Sequence, residues 1–225
     1  MKKTVFLLLM ACISSSVWSQ VTLGGKASPF GYAYQFGKGM DGINMIYSYH
    51  VGGMAQFQLT KWFALQTELN FERKGRHLSD DDFSFTFGKD VFDMRYLTIP
   101  LLFHFNTPGV VKFYGQFGPY VGFLVYAHRK YERHSPGNNY FEIDEDVKDH
   151  YKSVNAGVAA GLGISFPLAP GLVAFLESRS SISFINAYDT PEIYVPGSGY
   201  YANDHSVYNT AWHLMFGIGY RFPGK

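Results

Sequence analysis

The stretch that decides the fold is the last one, Tyr208-Asn209-Thr210-Ala211-Trp212-His213-Leu214-Met215-Phe216-Gly217-Ile218-Gly219-Tyr220-Arg221-Phe222. Trp212, Leu214, Phe216, Ile218, Tyr220 and Phe222 take every even position, while Ala211, His213, Met215, Gly217, Gly219 and Arg221 take the odd ones. Side chains of an extended strand alternate between its two faces. One face of this strand is therefore apolar and aromatic, and the other is small, polar or charged.

The same pattern recurs upstream. Phe63, Leu65, Thr67, Leu69 and Phe71 alternate with Gln66, Glu68, Asn70, Glu72 and Lys74. Leu97, Ile99, Leu101, Phe103 and Phe105 alternate with Tyr96, Thr98, Pro100, Leu102 and His104. Ala156 to Phe166 alternates with a row of small residues that includes Gly157, Gly161 and Gly163. A less regular segment sets Val173 and Phe175 on the face of Glu177 and Arg179. In all, eight segments emerge, at 21–34, 47–59, 63–74, 93–105, 112–127, 151–166, 172–185 and 208–222. Each is as long as the ~9–11 residues that a tilted strand needs to cross a bilayer.

The connections alternate too. Short links at 60–62, 106–109 and 167–171 separate long ones at 35–46, 75–92, 128–150 and 186–207. Tight periplasmic turns and longer external loops are the asymmetry of outer-membrane barrels. The expected fold is an all-β, eight-stranded antiparallel up-and-down transmembrane barrel, with both termini on the periplasmic side. Closure is required, because an unpaired sheet edge in hydrocarbon costs several kcal/mol per backbone group. Trp62, Phe63, Phe105, Phe113, Phe166, Tyr220 and Phe222 would form a periplasmic aromatic girdle, and Tyr126, Phe184, Tyr208 and Trp212 an outer one.

Composition agrees. Aromatic residues make up 18% of the chain and there are 24 glycines, a mixture that suits strands. The longest apolar run, Val5 to Ile13 behind Lys2 and Lys3, is too short to span as a helix and reads as a signal peptide. Cleavage is expected after Ser19, so residues 1–19 are the signal and 20–225 the barrel domain. The one cysteine, Cys12, then leaves with the signal; processing as a lipoprotein at Cys12 is the alternative. The net charge of +1 carries no nucleic-acid footprint.

Eight strands enclose an interior just wide enough for side chains to fill it. The inward set Glu68, Glu72, Lys74, His104, Glu177, Arg179, His213 and Arg221 is expected to pair into a polar plug, since buried charges need partners. Inward glycines would leave room for Tyr96, Tyr114 and Tyr120. No catalytic, cofactor or metal residues are assigned. Asp80-Asp81-Asp82 lacks the spaced ligands of a calcium loop and reads as a solvated tip. The histidines show no helical metal-binding spacing. His205 and Ser206 are adjacent on an extended chain and point apart, which argues against a lipase-like site. The acids Glu142, Asp144, Glu145, Asp146 and Asp149 beside Arg129, Lys130 and Arg133 read as a charged external loop open to a protein partner or to lipopolysaccharide phosphates.

Leu65-Gln66-Thr67-Glu68-Leu69-Asn70-Phe71 with Lys74-Gly75, Tyr96-Leu97-Thr98-Ile99-Pro100-Leu101-Leu102 and Phe113-Tyr114-Gly115-Gln116-Phe117-Gly118-Pro119-Tyr120 resemble the third-, fourth- and fifth-strand motifs of PorT-like outer-membrane β-barrel proteins of Bacteroidetes. The resemblance spans essentially the whole mature chain. It implies an integral outer-membrane location, outer-membrane lipids as surroundings and a link to protein secretion, with a possible secretion or surface protein as partner. It brings no catalytic residues and leaves oligomeric state open. Pro100, which also belongs to the fourth-strand motif, reads as a bulge or kink. The expected role is structural, in assembly or as an accessory to secretion. A narrow barrel that transports or binds a small or hydrophobic ligand is the alternative. A lipid-acting barrel enzyme and a soluble lipocalin-like barrel fit the pattern less well.

Overall fold

The protein is described from a computed structural model, which covers residues 20–37, 43–82, 86–135, 139–189, 192–195, 199–202 and 206–223. The expected signal segment, Cys12 and His205 lie outside the described residues.

In chain order the strands are β1 (Gln20–Gly37), β2 (Ile43–Asn44), β3 (Ile46–Tyr47), β4 (His50–Gln58), β5 (Phe63–Asp82), β6 (Thr86–Asn106), β7 (Lys112–Ser135), β8 (Asn139–Asp146), β9 (Val154–Ala169), β10 (Leu172–Ser183), β11 (Glu192–Val195), β12 (Gly199–Ala202) and β13 (Val207–Phe222). Eight of them form the wall. β1, β4, β5, β6, β7, β9, β10 and β13 pair antiparallel, each with the next, and β13 returns to β1. That last ladder runs from Val21 opposite Phe222 to Gly37 opposite Val207. The barrel is therefore closed, and Gln20 and Phe222 lie at its short-turn end.

The alternation read from the sequence sets the two faces. Leu23, Leu69, Leu101, Phe117, Leu162, Phe216 and Ile218 are exposed on the outside, forming an apolar belt. Glu68, Asn70, Glu72, His104, Glu177 and His213 are buried inside. Rings collect at the short-turn end, where Trp62 and Phe105 stack at 6.0 Å and Phe63 sits 5.2 Å from Phe105.

The structure departs from the sequence reading in three places. First, the links expected at 75–92 and 128–150 are largely strand. β5 and β6 pair out to Asp82 opposite Thr86, and β7 pairs with β8 from His128–Asp146 to Ser135–Asn139. The apolar period ends where lipid contact ends, but backbone pairing needs no lipid and continues beyond it. Secondly, Pro100 makes no bulge. Thr67 faces Leu101 and Asn70 faces Thr98 in the same register, and Pro100 faces Tyr120 within an unshifted run of the β6–β7 ladder. The shift in that ladder falls instead between Arg95 and Tyr96. Thirdly, β1 carries an irregularity between Ala27 and Phe30. Thr22 and Lys26 are buried before it, and Ala33 and Gln35 after it, so inward positions pass from even to odd numbers.

Interior glycines make room for interior tyrosines. A Cβ on Gly163 would stand 2.6 Å from the Tyr114 hydroxyl and 2.6 Å from the Leu176 carbonyl oxygen. Replacing Gly163 with valine is expected to push the ring aside and destabilise the barrel by about 1–3 kcal/mol. The temperature at which the unboiled protein loses its fast gel migration would report this, and an unchanged temperature would refute the packing.

Candidate functional site: a bridged lumen beneath an external sheet

At mid-barrel two acids and two bases meet. Arg179 on β10 places Nη2 2.7 Å from Glu68 Oε1 on β5 and Nε 2.6 Å from Glu177 Oε1 on its own strand. Lys26 on β1 reaches Glu177 Oε2 at 2.6 Å and Glu68 Oε1 at 3.4 Å. Neutral donors complete the shell. Tyr114 donates to Glu177 at 3.0 Å, Asn70 to Glu68 at 2.9 Å, and Gln116 and Gln66 donate to Glu177 and Glu68. The quartet carries two charges of each sign and ties β1, β5 and β10 together across the lumen. A buried ion pair repays its desolvation only when its remaining lone pairs are also satisfied, and here they are.

Above it, Lys74 Nζ lies 2.9 Å from Glu72 Oε1 and 4.6 Å from the centre of the Tyr120 ring. His50 and His213 stand beside this pair with ring centres 5.2 Å apart. Below the quartet, His104 stacks on Tyr114 at 4.4 Å and is held between Gln116 and Asn106. Met54, Tyr114, Val173 and Phe175 form an apolar layer there.

The long-loop mouth is filled. Phe92, Met94, Tyr96, Leu124, Val147, Tyr151 and Tyr188 belong to one buried cluster. The Arg76 guanidinium lies 4.2 Å over the Phe92 ring and donates to the Tyr188 hydroxyl at 2.7 Å. Backbone bonds from Val147 to Ala127 and from Ala187 to Val207 tie parts of two of the long connections to the wall there.

Seven of the eight residues expected in the lumen are buried: Glu68, Glu72, Lys74, His104, Glu177, Arg179 and His213. Arg221 is not among them. It is only half-buried, at the short-turn rim, where water already solvates the guanidinium. Lys26 and His50 were not anticipated. The phase change between Ala27 and Phe30 hides Lys26 from a period-two reading. Gly52 and Gly53 blur the alternation that would have put His50 inside.

Beyond the apolar belt, β5 to β8 stand as a charged sheet. Arg129 pairs with Asp90 at 2.9 Å, Arg73 with Asp93 at 2.8 Å, His128 with Asp144 at 3.0 Å and Lys130 with Glu142 at 3.2 Å. Tyr140 donates to Glu142 at 2.7 Å, and together with Lys130 it holds that carboxyl below the usual carboxylate range. Of the acids and bases read as a charged loop, Arg129 faces Glu145 and Lys130 faces Asp144 across the β7–β8 ladder, while Arg133 faces Phe141. Side chains of Asp80, Asp81 and Asp82 lie outside the described residues.

A family model described as outer membrane protein beta-barrel domain matches residues 18–189. No curated protein matches the chain. Solved structures with a similar course include Ail, the attachment invasion locus protein of Yersinia pestis, at 16% identity over 91% of this chain and 97% of that one, TM-score 0.42. Neisserial surface protein A is 11% identical over 90% and 97%, TM-score 0.46. The outer membrane protein OprG of Pseudomonas aeruginosa is 13% identical over 92% and 96%, TM-score 0.46.

Proposed function

Since the chain belongs to the outer membrane protein beta-barrel domain family, matched over residues 18–189, and is an integral outer-membrane barrel, we propose that it works as a closed scaffold. In this reading the barrel wall anchors the charged β5–β8 sheet outside the cell, and the sheet meets a secretion or surface protein. The role is structural, in assembly or as an accessory to secretion, without catalysis. Residues 1–19 direct export and residues 20–225 are the mature barrel. The PorT-like motifs on β5, β6 and β7 support the secretion assignment.

The observation that carries the reading is the Lys26–Glu68–Glu177–Arg179 quartet, which bridges the lumen from β1 to β5 and β10. Ion passage would require breaking these contacts, and an uncompensated charge at that depth costs several kcal/mol. The purified barrel in planar lipid bilayers is expected to show no steady unitary conductance. Reproducible conductance steps from the folded protein would overturn the closed-scaffold reading and favour a narrow transport barrel.

A further inference from the structure

We infer that His50, Glu72 and His213 form a binding site for one divalent transition-metal ion inside the barrel, with two imidazoles and one carboxylate as its protein ligands. The residues come from β4, β5 and β13 and converge through the strand order. His50 faces Glu72 in the β4–β5 ladder. His213 faces Gly31 on β1, where a side chain would collide with the imidazole. One ligand atom from each residue lies within 4.8 Å of the other two, and all three residues are buried.

Two further observations point to a ligand. His50 is only 4% exposed, yet neither of its ring nitrogens has a hydrogen-bond partner. Its Nδ1 is 3.7 Å from Glu72 Oε2, outside hydrogen-bonding range. A buried polar group without a partner is costly, and here the unpartnered group lines a void. The three residues surround, with Asn70, Thr98 and Tyr120, a cavity of about 20 Å³, room for one water-sized body.

Charge assigns the histidines to this role and not to ion pairing. Glu68, Glu177 and Glu72 are already matched by Arg179, Lys26 and Lys74. The two imidazoles are therefore surplus to the balance and remain available as nitrogen ligands. Two such donors and a carboxylate suit borderline ions such as Zn²⁺ and Co²⁺. The carboxylate can serve both neighbours, with Oε1 on Lys74 at 2.9 Å and Oε2 on the side of His50. Ser48 Oγ, 2.9 Å from His213 Nε2, orients the second ring as outer partners of metal-ligating histidines do. Loading draws the donors inward, since metal–ligand bonds are about 2.0–2.2 Å.

The test is metal retention by the whole folded barrel in detergent micelles. Protein treated with a chelator, incubated with Co²⁺ or Zn²⁺ and desalted is expected to keep about one ion per chain. Bound Co²⁺ should give a visible absorption that Zn²⁺ bleaches. His50→Gln and His213→Gln should each lose at least about tenfold in affinity while keeping heat-modifiable migration, and His128→Gln in the external sheet should not. X-ray absorption of the zinc-loaded wild type needs no variant and should show imidazole scattering from two rings. A folded wild type that keeps no ion, variants that keep the full load, or an oxygen-only shell would each overturn the site.

Discussion

Replacing Arg179 with alanine is expected to lower the temperature at which the unboiled protein converts to its slow-migrating form more than any other single truncation in the lumen. Arg179 touches both buried acids, with contacts to Glu68 and to Glu177. Its removal leaves Lys26 alone to balance two carboxylates, and breaking a buried pair in this way costs about 3–5 kcal/mol. Glu68→Leu should act in the same direction by stranding part of Arg179. The triple change Lys26→Met, Glu68→Gln, Arg179→Met still strands one buried charge, Glu177; adding Glu177→Gln removes it and should recover much of the loss. If Arg179→Ala melted with the wild type, the quartet would have no structural weight.

The second large effect is expected on the opposite face of the wall. Leu162 on β9 is 72% exposed and sits between Gly115 on β7 and Ser178 on β10, well inside the apolar belt. Leu162→Arg is expected to cost about 2–4 kcal/mol, the penalty for a cation on the lipid face near the midplane. Leu168→Arg, at the rim of the belt, should cost about 0–1 kcal/mol. Urea unfolding of the two variants in liposomes, followed by tryptophan emission, separates the values. Equal costs would mean that the belt does not face hydrocarbon.

How much of this was legible in the sequence depends on what each residue's surroundings demand. Where one face meets lipid and the other a packed interior, as on β13 and β9, alternation is enforced at every position and can be read directly. That is why His213, Glu68 and Glu177 could be placed inside from the period alone. The reading fails where the constraint is lifted or its phase shifts. Past Lys74 and past Tyr126 lipid no longer holds the outer face to apolar residues, so strand and loop look alike in composition, and the outer ends of β5, β6 and β7 and the whole of β8 appeared as loops. At Ser28-Pro29-Phe30 the chain absorbs an irregularity, the phase inverts, and Lys26 drops out of the inward set. Arg221 shows the converse: its parity is right, but parity says nothing about depth, and at the rim a charged side chain needs no partner. The meeting of His50 with His213 depends on the neighbour relation between β13, β1 and β4, which only closure creates.

Closure has a cost in time. The ladder that seals the wall joins Val21 to Phe222, residues far apart in the sequence. Until the last strand is available, the first has an open edge, and the ion quartet cannot form either, because Lys26 on β1 and Arg179 on β10 lie on opposite sides of that seam. Chain connectivity of such high contact order makes folding slow and leaves unpaired edges exposed to aggregation meanwhile. A chain built this way completes its wall only at the end, when its first and last strands find each other.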